Sequence, residues 1–299
     1  MNRRINLDRL RLTDEELYDL YLQVSERISN EALLEAEGSK GKIVPFSVFD
    51  EISEELMKDP EKIHGIPSGY SEIDQITRGF EPGELIIVGA ETGVGKSLLV
   101  QNIFHNVAIR KIPNMFMSME MPNGEADKRY KEMQMDVTGK DGAREEIRKM
   151  PLYAYEGDDA NLDNIDEAIG EGIKEFGIKM VGIDHLHYFA KKSESNSAEI
   201  GYIVRRVKLM ARKHQIPIFL ISHLKKLTKP GTMPQLNDLR DSSFIAQDAD
   251  CVMMLARKTL SDDIIERKTL RWEIQKNRTR GFLGKGQLNI KSHYKVSEQ

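Results

Sequence analysis

The clearest chemistry in the chain lies between residues 85 and 98, where the apolar run LIIVGA leads through Glu91, Thr92, Gly93, Val94 and Gly95 into Lys96, Ser97 and Leu98. A strand, a glycine-bearing loop and a helix in that order turn backbone N–H groups and a helix N-terminus toward a phosphate. Lys96 adds a positive charge, and the Ser97 hydroxyl can ligate magnesium. Phosphate loops follow G-x-x-x-x-G-K-[ST], and Ala90 stands here in place of the first glycine. Either the backbone keeps a negative φ at Ala90, or Gly89 provides the freedom one residue early.

Three more polar residues close apolar runs: Glu120 follows MFMSM, Asp184 follows KMVGI and His223 follows IFLIS. Open parallel sheets bind ligands beyond the carboxyl ends of their strands. Asp184 suits the acidic partner of a magnesium site, and Glu120 can orient a water for attack on a γ-phosphate. His223 can touch that phosphate and report its loss. Any one of them could be a helix cap or a satisfied polar group, and their joint placement is what favours a site. The HLH at 185–187 offers two imidazoles, but no third ligand is spaced to join them, so it reads as strand-end packing.

A second group of interest is WEIQKNRTRG at 272–281. Side chains alternate along a strand, so Lys276 and Arg278 point the same way. Two cations on one face can stabilise the charge on a transferring phosphoryl group; the plainer alternative is that they meet solvent or a nearby carboxylate. Nothing near them in sequence is an obvious anion.

These groups need a scaffold. Strand patterns occur at 85–90, 114–119, 179–184, 217–222, 251–256, 270–276 and 286–290, and helical patterns at Lys96–Arg110, Gly124–Val137, Leu162–Phe176 and Ala198–His214. Near-continuous apolar strands alternating with helices predict an α/β fold with a mostly parallel sheet covered on both faces. Ahead of it, residues 13–38 show helical spacing with a capping box at Thr13 and Glu16, and a second amphipathic helix is predicted over 47–58. The division is a helical extension over 1–62 and the main domain over 63–299. Two helices close no core alone, so their apolar faces must cover the main body or a neighbouring molecule.

With 299 residues, 39% of them hydrophobic, the chain can bury a substantial core. No apolar run approaches the roughly 20 residues of a membrane helix, and the amino terminus lacks a secretory pattern, so a cytoplasmic protein with no membrane partner is expected. Cys251, the one cysteine, lies in an apolar run and reads as a core residue. A net charge of −4 argues against a nucleic-acid protein, yet the charge is uneven. Residues 13–38 hold eight acidic and one basic residue, whereas 205–229 hold eight basic and none acidic, and 267–295 nine basic and one acidic. The later segments are free to meet a polyanion.

Taken in order, IPSGYSEIDQITRGFEPGELIIV, AETGVGKS, SMEM, GIDHL, PIFLISHLKK, DLRDSSFIAQDAD and KNR resemble the ATPase domain of DnaB-type replicative helicases, including phage relatives, within the RecA-like P-loop group. The resemblance runs from Ile66 to Ile290. It implies a homo-oligomeric ring, usually of six, with ATP and Mg2+ held between neighbours. Lys276 and Arg278 then match fingers that reach the γ-phosphate bound by the next subunit, with Lys96, Glu120 and His223 completing the catalytic set. Segments 190–199 and 225–243 match loops that track single-stranded DNA in the ring channel, with Lys225, Lys226, Arg240, Asp241 and Ser243 as DNA contacts. Ser243 replaces the family's usual glycine, and His223 replaces a glutamine common in bacterial members, histidine being familiar in phage relatives.

By the same resemblance, helix 47–58 is the linker with which a subunit grips its neighbour. About 45 residues before it are too few for the usual collar or a primase domain, so a bare motor is expected that acts on single-stranded and forked DNA with a loader or primase supplied in trans, in a host cytosol if phage-encoded. Two alternatives share the fold: a recombinase that coats DNA as a filament, and a nucleotide-switched scaffold or loader.

Overall fold

Alternation of side chains along the strands builds two buried layers. Strand β1 (Leu85–Ala90) sends Ile86, Val88 and Ala90 to one face and Leu85 and Ile87 to the other, and all five are buried. The computed structural model describes residues 45–50, 57, 63–157, 161–189, 197–224, 231–239, 247–292 and 294–298. Among them the remaining strands are β2 (Asn114–Ser118), β3 (Leu152–Ala154), β4 (Met180–Asp184), β5 (Ile218–His223), β6 (Cys251–Ala256), β7 (Thr269–Asn277), β8 (Gly284–Ile290) and β9 (Val296–Ser297). They form one sheet in the order β3-β2-β4-β5-β1-β6-β7-β8-β9. Pairing is parallel from β3 through β6 and antiparallel from β6 through β9.

Helices lie on both faces, as two-sided burial of the strands requires. The described helices are α1 (Ser71–Thr77), α2 (Lys96–Ile109), α3 (Asn123–Lys149), α4 (Leu162–Phe176), α5 (Ser197–His214) and α6 (Ile264–Lys268). Leu99, Ile103 and Phe104 of α2 pack on the Ile86 and Val88 face, while Ile165 of α4 and Val204 and Val207 of α5 pack on the Leu85 and Ile87 face. Asn161 caps α4 by accepting the Asp163 N–H at 2.9 Å, and Gly177 ends it in the left-handed region at φ 66°.

The structure extends the sequence reading in several places. Helix α3 runs past the predicted end at Val137, because the chain turns at Gly139 (φ 76°, ψ 171°) and then resumes its helical course. Strands β3 and β9 have three and two residues, too few to show a period. Helix α1 lies ahead of β1, where no helix is predicted, and is held by buried Asp74, which accepts the N–H groups of Ser68 (2.7 Å) and Gly69 (3.2 Å). Of the predicted helix 47–58, only 47–50 and 57 are described, and Phe46–Phe49 form a 3-10 turn. The predicted helix within 13–38 lies outside the described residues. Cys251 is buried, as expected of a core residue.

Gly182 fixes how closely the helix layer approaches β4. A Cβ there would lie 2.8 Å from Phe104 Cζ and 2.9 Å from Phe116 Cδ2, two rings already packed edge to face at 5.7 Å. Gly182→Val should therefore cost about 1–3 kcal/mol through overpacking, read as a lower urea midpoint at unchanged slope. An unchanged midpoint would mean that the layer has slack.

Candidate functional site

The loop after β1 owes its shape to two glycines: φ is +78° at Gly93 and +122° at Gly95, the residue that opens α2. Neither Ala90 nor Gly89 has a positive φ, so the first of the two backbone alternatives holds and Ala90 needs no glycine freedom. Gly89 serves packing instead. A Cβ on it would come within 2.8 Å of Leu239 Cδ2 and 2.9 Å of Met254 Sδ.

Lys96 is 6% exposed and turned back on the loop. Its Nζ donates to the carbonyls of Ala90 (3.0 Å) and Glu91 (3.1 Å) and lies 3.2 Å from His223 Nδ1. Burial pushes its ammonium down to about 8, against the raising pull of Asp184 and Glu120. Arg257, just past β6, donates from Nη2 to the Gly93 carbonyl at 2.5 Å. It was not singled out from the sequence, since a cation after an apolar strand has no distinguishing pattern.

Adjacent strands β2, β4 and β5 bring the other candidates together at their carboxyl ends. Asp184 is the last residue of β4 and is buried; burial raises its carboxyl above the usual range, and a hydrogen bond with the Ser97 side chain partly opposes this. Its Oδ1 is buried with no hydrogen-bond partner. An unpartnered carboxylate oxygen beside a serine hydroxyl is a donor set that suits a hard divalent cation, so Ser97 and Asp184 fit magnesium. Glu120 stands exposed two residues beyond β2, whose end is held to β4 by the Met119 N–H bond to the Asp184 carbonyl (2.6 Å). His223 ends β5 opposite Ala90, with Nδ1 3.4 Å from Thr92 Oγ1.

His185, the first histidine of the HLH stretch, does more than pack at a strand end: it meets His223 and Glu120, two donors distant in sequence. The His185 ring lies 4.1 Å from that of His223, and donor atoms of Glu120, His185 and His223 are all within 4.8 Å of one another. Sequence spacing hid this cluster because its three members come from three strands.

Lys276 and Arg278 lie elsewhere. Both reach the Gln247 carbonyl, Lys276 Nζ at 3.4 Å and Arg278 Nη2 at 2.7 Å, which agrees with the shared direction read from the pleat. Lys276 Nζ also donates to the Ala249 carbonyl at 2.5 Å, and Arg278 Nη1 is 3.6 Å from Asp250 Oδ1. The Arg278 N–H bonds the Asp250 carbonyl, and the Asp250 N–H bonds that of Leu85, so Arg278 sits level with the start of β1. The phosphate loop begins at the other end, five residues on, or about 17 Å at ~3.3 Å per residue. The fold does not bring these cations to their own chain's loop.

Lys225, Lys226, Arg240, Asp241 and Ser243 lie outside the described residues, as does most of 190–199. The stems of the second segment are described. Leu224, next to His223, bridges Leu239, and Gln275 Nε2 holds the Pro234 carbonyl at 2.7 Å.

A mostly parallel sheet with a phosphate loop between β1 and α2, extended beyond β6 by antiparallel strands, is a RecA-like fold. The structure agrees with that of a solved ATPase domain at a TM-score of 0.76 with 24% identity, covering 87% of this chain and 100% of that one. It also agrees with "The Structure Of A DnaB-Like Replicative Helicase And Its Interactions With Primase" at 0.72 with 21% identity, covering 95% and 77%. Residues 65–298 match the DnaB-like helicase C terminal domain, and the chain belongs to that family. The replicative DNA helicase DnaB of Leifsonia xyli subsp. xyli is 32% identical over 231 residues, 71% of this chain and 50% of that protein. That of Mycoplasma genitalium is 29% identical over 316 residues, 93% and 66% respectively. The chain thus spans between half and two thirds of these relatives. No helix among the described residues is long and apolar enough to cross a membrane.

Proposed function

We propose that this chain is the motor of a replicative DNA helicase, which hydrolyses ATP with Mg2+ at the interfaces of a homo-oligomeric ring of six and moves along single-stranded DNA to open a fork. The observation that carries the reading is the division of the charged groups between two ends of one sheet. Lys96, Ser97, Glu120, Asp184 and His223 surround the loop, while Lys276 and Arg278 sit about 17 Å away along β1, too far for a side chain to return. Stacking one copy's Arg278 end against another's loop completes the set, which is what a ring or any head-to-tail assembly supplies.

In this reading residues 90–98 cradle the phosphates, with Lys96 leaving its own carbonyls for them. Ser97 and Asp184 would hold magnesium, which would supply charge neutralisation at the phosphates. Glu120 orients the attacking water. His223 meets the γ-phosphate, and because Leu224 beside it is bridged to Leu239, its displacement is passed to both stems of the 225–243 segment. There Lys225, Lys226, Arg240, Asp241 and Ser243 are assigned to the DNA backbone. Residues 1–62 form a helical extension whose segment 47–58 docks on the adjacent subunit, and 63–299 the motor. A loader or primase acting in trans, and a cytosolic location, complete the proposal.

Unwinding of a forked duplex by the purified chain with ATP and Mg2+ tests the function. Strand separation that stops with Lys96→Ala is expected; ATP hydrolysis indifferent to single strands, with no separation, would reject the motor in favour of a scaffold.

Lys96 also gives a proton signature. Its folded-state value of about 8 lies below the ordinary lysine range, so near pH 8.5 the nucleotide-free protein carries it partly neutral. A phosphate beside it favours the charged form, so nucleotide binding takes up a proton above pH ~8 and none near pH 6, and affinity falls as pH rises past 8. Calorimetry at pH 8.5 in buffers of different ionisation enthalpy should show that uptake. Its absence would mean that Lys96 does not reach the phosphates.

A further inference from the structure

We infer that Glu120, His185 and His223 form a second metal site, distinct in chemistry from the magnesium site, which takes a first-row transition ion such as Zn2+ and holds the motor inactive. Each residue extends from the end of a different strand, and β2, β4 and β5 are consecutive neighbours in the sheet, so three donors converge from one rigid edge. Two imidazoles and one carboxylate are the donor set of zinc sites that keep an open position, whereas magnesium prefers oxygen ligands throughout. Ser97 and Asp184 offer only oxygens, so the two sites select different ions.

The geometry is near that of a closed site. Ligands ~2.1 Å from a tetrahedral zinc lie ~3.4 Å apart. The present separations are within 4.8 Å, and the two rings, 4.1 Å apart and inclined at 51°, already crowd one point. Glu120 is exposed and can close the remaining gap by changing rotamer. Lys96 is the competing cation, with Nζ 3.2 Å from His223 Nδ1. It must give up that contact when an ion enters, and it retains the Ala90 and Glu91 carbonyls as partners.

Occupancy would bind the Glu120 carboxylate and the His223 imidazole at once. Under the reading above, those are the groups that orient water and meet the γ-phosphate, so inhibition rests on that reading while metal binding does not. The two are separable. Titration of the nucleotide-free protein with Co2+ is expected to give a visible ligand-field band saturating at one ion per chain and erased by Zn2+. His185→Phe should weaken binding by on the order of 1,000-fold, beyond the roughly 10- to 100-fold that the loss of an outer-shell partner costs. Glu120→Gln, at an exposed position that does not threaten folding, should weaken it comparably. In parallel, Zn2+ should stop phosphate release by the unsubstituted protein in proportion to the displaced cobalt band, and should spare His185→Phe relative to that variant's own metal-free rate. No band, or a band indifferent to both substitutions, would overturn the site and mark any bound metal as adventitious. A band lost with both substitutions but without inhibition would uphold the site and refute the roles given to Glu120 and His223.

Discussion

Arg278→Ala should bind nucleotide within a few-fold of the unsubstituted protein and hydrolyse it some 10³- to 10⁵-fold more slowly, the range attributed to an arginine finger supplied in trans. Affinity is expected to survive because the loop, Lys96 and the proposed magnesium ligands are untouched and lie at the other end of β1. Stability should hardly change. Arg278 is 54% exposed on its side chain, its contact to Asp250 is a long 3.6 Å, and exposed pairs of this kind are worth about 0–1 kcal/mol. Asp250 keeps Lys208 and the Leu85 N–H as partners. Steady-state phosphate release alongside binding of a fluorescent nucleotide reads both quantities. A variant that hydrolyses normally would leave Arg278 as a surface cation tied to the Gln247 carbonyl and nothing more.

Glu120→Gln should lower hydrolysis by roughly 10²- to 10⁴-fold with nucleotide affinity retained, because it removes the carboxylate proposed to orient the attacking water while leaving every proposed phosphate contact in place. The side chain is exposed, so folding is unaffected. Single-turnover chemistry separates this from a binding defect: the trapped nucleotide should remain uncleaved on the enzyme. Loss of less than tenfold would shift the water-orienting role to another group.

Much of this was legible in the sequence, for physical reasons that also set where legibility ended. The order of an apolar strand, two glycines and a lysine is local, and the loop built from it has positive φ at Gly93 and Gly95. Burial on both sides makes strands near-continuous in apolar residues, so β1, β5 and β6 could be read with their boundaries nearly right. The pleat rule placed Lys276 and Arg278 on one side, and they share the Gln247 carbonyl. Periodicity failed where elements were short, as in β3, β9 and α6, and where Gly139 interrupted α3 without ending it.

The histidine cluster was invisible for a different reason. Glu120, His185 and His223 are separated by 65 and 38 residues, and only the sheet order β2-β4-β5 makes them neighbours. Likewise the distance between Arg278 and its own loop follows from the antiparallel course of β7 beside β6. Strand order is set by packing across the whole sheet, and local spacing carries little information about it.

The most direct test of a nucleotide site shared by two copies uses two defective proteins together. In the proposed reading Lys96→Ala loses its phosphate contact but still supplies Arg278, and Arg278→Ala keeps that contact but lacks the finger. Mixed in equal amounts and allowed to assemble, they should recover a substantial fraction of ATP hydrolysis that neither shows alone, with activity peaking at intermediate ratios. Hydrolysis that stays at the sum of the two separate residual rates at every ratio would contradict the account.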